Sequence, residues 1–136
     1  MSSTTLVKTP RTIIAAGTNN AASASPPTRG TVDLRTAQGG LLTVKITNGA
    51  TGPTVAATVN ILVAHNSGAT PTAASAGADW KTIWSFTATT GNSAVTEQSI
   101  DVGPGVMHLE VEVTGNTGQA VTCEAFLSEI TSASTV

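Results

Sequence analysis

A chain of 136 residues with a formal net charge of -2 is the size of one domain, long enough to bury a modest core without disulfides or metals. Only 10% of its residues are charged, which leaves no basic footprint for a phosphate backbone and excludes nucleic acid as an expected partner. The single Cys123 can form no internal disulfide and has no second thiol for a Cys-based zinc site, which fits a reducing cytoplasm.

The opening "MSSTTLVKTPRTIIAAG" lacks the continuous apolar run of a signal peptide. No later stretch approaches the roughly 20 apolar residues of a membrane span. The expectation is a soluble chain with no membrane partner. Thr, Val, Ala, Gly and Ser dominate and Tyr is absent, an all-β vocabulary of pleat-forming residues punctuated by turn formers.

Residues 1–30 read as an extended arm. The run "TNNAASASPPTRG" is small and polar, and Leu6, Val7, Ile13 and Ile14 are the side chains with area to bury. Such an arm either frays as a terminus or orders by lying on a neighbouring subunit, with Ile13 and Ile14 as anchors. Residues 31–136 then read as an all-β sandwich or barrel, because turn signals recur at that spacing, and jelly-roll, immunoglobulin-like and other sandwiches share the pattern.

In chain order, "TVDLRT" is a short first strand. "LLTVKIT" sends Leu42, Val44 and Ile46 inward and Thr43, Lys45 and Thr47 outward. "VAATVNILVAH" carries Val59, Ile61 and Val63 on one face, while Leu62 and Ala64 make the other face apolar too, as in a central or interfacial strand. "NSGATPTAASAGAD" is a long small-residue loop, and "WKTIWSFTA" places Trp80, Thr82, Trp84 and Phe86 on one side. "TTGNS" turns into "AVTEQSIDV". In "GPGVMHLEVEVTGNTG", Met107, Leu109, Val111 and Val113 face the core and His108, Glu110 and Glu112 form a solvated face. "QAVTCEAFLSEI" mixes its faces, which suggests a bulge or two-sided packing. No window has the 3.6-residue apolar period of a helix.

The chemistry-bearing residues form no active site. His108 with Glu110 gives two metal ligands where zinc normally takes three or four, and no Gly-x-Ser-x-Gly elbow is present. Glu110 and Glu112 on a wet strand would both stay ionised, whereas glycoside hydrolysis needs one raised carboxyl. The expectation is no catalytic residue, no metal and no cofactor. Two tryptophans on one strand face could stack on a sugar, which keeps a glycan-binding module as an alternative; core packing is the simpler role.

The stretches "TGPTVAATVNILVAHNSG", "DWKTIWSF" and "PGVMHLEVEVTGNTGQAVTCEAFLSEIT", within residues 30–131, resemble small all-β virion proteins of tailed bacteriophages, most of all capsid cement or decoration proteins. The resemblance implies an antiparallel β-sandwich of jelly-roll-like type, non-enzymatic, made in the host cytoplasm and located on the capsid surface. It further implies binding to the major capsid protein, homodimer or homotrimer formation, and bridging of capsomers without covalent bonds. A tail or neck protein shares the same style. The family brings no catalytic motif; the apolar outward residues Leu62 and Ile83, with Ile13 and Ile14 of the arm, are the candidate partner contacts.

Overall fold

The computed structural model describes residues 4–68, 71 and 79–135. Its regular elements are all strands: β1 (Thr4–Asn20), β2 (Thr28–Asp33), β3 (Gly40–Asn48), β4 (Thr58–Ala64), β5 (Trp80–Thr87), β6 (Val95–Val102), β7 (His108–Thr114) and β8 (Val121–Thr135). The expected loop between β4 and β5 falls largely outside the described residues.

Period-two alternation makes these strands and decides which face is dry. On β3, Leu42, Val44 and Ile46 are buried between the half-exposed Thr43, Lys45 and Thr47. On β8, Val121, Cys123, Ala125 and Leu127 are buried without a break, and the β3–β8 register has no shift. The expected bulge in that strand is absent from the β3 side. The irregularities lie on the β1 side, at Val7/Lys8, Thr12/Ile14 and Ile14/Thr18.

Two four-stranded sheets result, in the orders β1-β8-β3-β6 and β2-β7-β4-β5, with every pairing antiparallel. The first strand pairs with the last, the second with the seventh, the third with the sixth and the fourth with the fifth. That nested order is a jelly roll, as if one long hairpin had been wrapped into a sandwich. The core lies between the sheets, with Leu42, Ile46 and Leu127 from one facing Ile61, Leu109 and Val111 from the other.

The N-terminal segment corrects the sequence reading. Residues 4–20 are not an arm free to lie on a neighbour but the edge strand β1, paired with β8 of the same chain from Thr4↔Thr135 to Asn20↔Val121. Ile14 is buried in the chain's own core and Ile13 packs against it. Ile14 is thus enclosed by its own chain, while Ile13 is half-buried. The physical reason is that β8 would otherwise be left with one side of its backbone unpaired over a buried face. β1 also runs close over β2: a Cβ on Gly30 would collide with the Ile13 carbonyl, so a residue without a side chain is required where the two strands meet.

Buried asparagines close the sandwich end. Asn20 Nδ2 donates to Asn116 Oδ1 at 2.6 Å, and Asn116 Nδ2 donates to the carbonyls of Asn20, Ala21 and Gln119. These bonds tie the end of β1 to the turn between β7 and β8.

Cys123 faces this core, and burial pushes its thiol up to about 11. At neutral pH it is a thiol and not a thiolate. Native protein is therefore expected to react slowly with a disulfide reagent, and the rate should rise to that of a free thiol on unfolding in urea; rapid native labelling would contradict this packing.

Candidate functional site

The densest group of ionisable residues lies on the side of the β2-β7-β4-β5 sheet turned away from the core. Cross-strand register builds it in rows. Arg29 of β2 stands opposite Glu112 of β7, Glu112 opposite Asn60 of β4, and Asn60 opposite Ser85 of β5. The next row is Thr31, Glu110, Leu62 and Thr82, and the third is Asp33, His108, Ala64 and Trp80.

Hydrogen bonds run along the first row. Arg29 Nε donates to Glu112 Oε2 at 2.8 Å and its Nη2 lies 2.7 Å from the same oxygen. Asn60 Nδ2 donates to Glu112 Oε1 at 3.0 Å, and Ser85 Oγ donates to Asn60 Oδ1 at 2.8 Å. Arg29 Nε is also 3.0 Å from Glu110 Oε1. One guanidinium thus serves two carboxylates two positions apart on β7, a planar fork suited to that task.

The solvated face expected for β7 is therefore a buried one. His108 and Glu110 are both 0% exposed, and the Glu112 side chain is 14% exposed. His108 Nε2 lies 3.0 Å from the Asn66 carbonyl, which fixes the proton on that nitrogen, while Nδ1 is 3.9 Å from Asp33 Oδ1. Asp33 is itself held by Arg35, whose Nη2 is 2.7 Å away and whose Nη1 donates to the Ser67 carbonyl. The Arg35 hydrogen bonds keep the Asp33 carboxyl below the ordinary carboxylate range.

Burial raises the Glu110 pKa above its ordinary value; Arg29 opposes the shift and the Glu112 charge adds to it. A raised native pKa means the fold prefers the protonated form. Stability is gained as pH falls through that pKa, and the ionisation penalty is fully present above it. Glu110→Gln removes the penalty. Urea unfolding at pH 4 and pH 7 should show the stability difference moving in the variant's favour at the higher pH; no change between the two would contradict it.

Chemically, this is a clamp that ties strands across the sheet. Its carboxylates are occupied by Arg29 and Asn60. Surface clefts among the described residues lie elsewhere, including one of about 220 Å³ at the β1 irregularity, beside Gly17, Lys45 and Glu124, and one of about 500 Å³ lined by Lys8, Leu41, Asp101, Pro104, Ser128 and Ile130. Among the described residues no group of three or more His, Cys, Asp or Glu is arranged to hold a metal ion.

The expected partner contacts divide. Leu62 is 8% exposed and packs with Ala64 and Trp80 of its own chain, so it is not an open contact. Ile83 is 50% exposed and stands out from the surface. The cause is a bulge in β5, where Ile61 pairs with Trp84 but Leu62 pairs with Thr82, leaving Ile83 extra. The same bulge corrects the tryptophan reading. Trp84 and Phe86, with ring centroids 5.2 Å apart, pack on the main core, whereas Trp80 falls on the opposite face. The chain does not place both tryptophans on one platform.

Sequence reasoning missed Arg29, which lies in the stretch read as an arm, and Asn60 and Asn116. The one local signal was an isolated arginine before Gly30 in a chain poor in charge.

No protein-family model matches the chain, and no curated protein matches it. Among solved structures, the K3 cleaved adhesin domain of Lys-gingipain from Porphyromonas gingivalis W83 overlaps with a TM-score of 0.52 at 8% identity, over 74% of this chain and 63% of that one. The chain thus spans less than two thirds of that adhesin domain. The SPBc2 prophage-derived protein YomS overlaps with a TM-score of 0.42 at 19% identity, over 90% of this chain and 94% of its own. Tailspike protein 4 of bacteriophage CBA120 does so with a TM-score of 0.39 at 12% identity, over 99% of this chain and 19% of its own. The adhesin domain establishes likeness of fold, a sandwich that serves many functions.

Proposed function

We propose that this chain is a structural protein of a tailed-bacteriophage virion: a capsid cement or decoration protein that binds the major capsid protein on the outer shell, bridges capsomers non-covalently and associates with copies of itself. On this reading it is not an enzyme and needs no cofactor. The observation that carries the reading is where the polar and apolar groups lie. Glu110, Glu112 and His108, the residues most suited to chemistry, are enclosed and engaged with their own chain, while Leu41, Phe126, Ile83 and Val95 stand exposed on a lightly charged surface. Apolar surface of that kind favours burial against a partner. The separation of Trp80 from Trp84 counts against the glycan-binding alternative.

Electron cryomicroscopy of purified virions tests it. Density for this chain repeating over the capsid surface and bridging capsomers is expected, together with binding of purified protein to shells that lack it and a gain in their heat resistance. Density confined to the tail or neck, or shells indifferent to the protein, would overturn the capsid role.

A further inference from the structure

Most of the described charges are neutralised inside the chain, through Arg11–Glu129 at 2.9 Å, Arg29 with Glu110 and Glu112, Arg35–Asp33 at 2.7 Å and Lys45–Glu124 at 2.8 Å. Lys8, Glu97 and Asp101 take part in no ion pair among the described residues; Glu97 acts on Lys45 only through space. Their positions are not scattered. Lys8 lies on β1 and the two acids on β6, and these are the opposite outer strands of one sheet, β1-β8-β3-β6. Each edge has one sign: β1 carries Lys8 and Arg11 and no acid, and β6 carries Glu97 and Asp101 and no base.

We propose that copies of this chain associate edge to edge, with β1 of one copy lying antiparallel along β6 of the next. The proposal rests on the self-association in the function proposed above and names its surface. Strand direction permits it. The four strands alternate, so β6 runs opposite to β1, and a neighbour in the same orientation presents its β6 antiparallel to β1, continuing the alternation across the contact. Apolar side chains accompany the charges: Leu6 and Val7 are exposed on β1 and Val95 on β6.

The symmetric alternatives are unfavourable. A two-fold contact of β1 with β1 brings Lys8 up to its own copy, Arg11 being held by Glu129, and one of β6 with β6 does the same for Glu97 and Asp101; like charges facing across strands repel. A head-to-tail contact is thereby selected, the kind that closes into rings when its rotation allows. Open-ended stacking is restrained by Pro10, which has no N–H to offer, and by the register irregularities of β1. Pro10 and the shifts at Thr12/Ile14 and Ile14/Thr18 confine a shared backbone ladder to the part of β1 that precedes Pro10, where Leu6, Val7 and Lys8 lie and where the Val7/Lys8 shift shortens it further.

Sedimentation velocity of the full chain over a concentration series, at low and high salt, tests the contact. Wild type should associate, less so in high salt. Lys8→Glu and Asp101→Lys should each weaken association about tenfold, the change from a surface attraction to a repulsion. Combining Lys8→Glu with Asp101→Lys in one chain should restore it, with circular dichroism confirming that every variant is folded. Wild type that stays monomeric, single variants that associate like wild type, or a double variant no better than the singles would overturn the proposal. Shell binding keeps the two readings apart: a chain that decorates shells but never self-associates refutes the edge contact alone, and one that self-associates but ignores shells refutes the capsid role alone.

Discussion

Replacing Arg29 by alanine is expected to lower the unfolding free energy by about 3 kcal/mol or more, the usual cost of stranding a buried charge. The Arg29 side chain is 18% exposed, and it faces two carboxylates of which Glu110 has no exposure at all. Without the guanidinium, Glu110 and Glu112 sit two residues apart on β7 as enclosed like charges, and β2 loses its tie to Glu112. Urea denaturation of the single variant measures the loss. A triple variant, Arg29→Met with Glu110→Gln and Glu112→Gln, should recover most of it, because removing a whole buried ion cluster costs far less than removing one member. A loss below about 1 kcal/mol for Arg29→Ala would mean that the cluster behaves as an ordinary surface pair.

Leu109→Ala should be comparably damaging for a different reason. Leu109 is 0% exposed on the opposite face of the same strand, opposite Val32 of β2 and Val63 of β4. Truncation removes buried methyl groups and leaves a cavity between two sheets that cannot close on it, at a cost of about 3 kcal/mol. For a domain of this size that lowers Tm by about 10 °C. Thermal unfolding followed by circular dichroism reads it directly. pH separates the two variants: acidification should protonate the Glu110 left without Arg29 and so recover part of that loss, but it should leave the Leu109→Ala loss in place, since that deficit is in packing. An equal response of both to pH would contradict the division of β7 into an ionic and an apolar face.

How far the sequence was legible depends on the range of the interaction. β3 could be read residue by residue, since "LLTVKIT" alternates and alternation is a property of neighbours in the chain. β7 shows the limit. Alternation separated Leu109, Val111 and Val113 from His108, Glu110 and Glu112, but it says nothing of what lies over the second set. That was decided by Arg29, 83 residues away in the chain from Glu112, and by the carbonyl of Asn66. The clamp was invisible for the same reason that its members looked solvated.

By itself the sequence determined the all-β class, the sandwich type, most of the strands and the inward side of each regular one, because periodicity and turn chemistry act over a few residues. Tertiary structure alone decided three things. Residues 4–20 became an edge strand because β8 needed a partner. One extra residue in β5 sent Trp80 to one face and Trp84 to the other, since a one-residue slip inverts every side chain beyond it. The nested strand order decided which charges meet inside the chain and which remain at its edges; pairing partners far apart in sequence leave no local trace in either one.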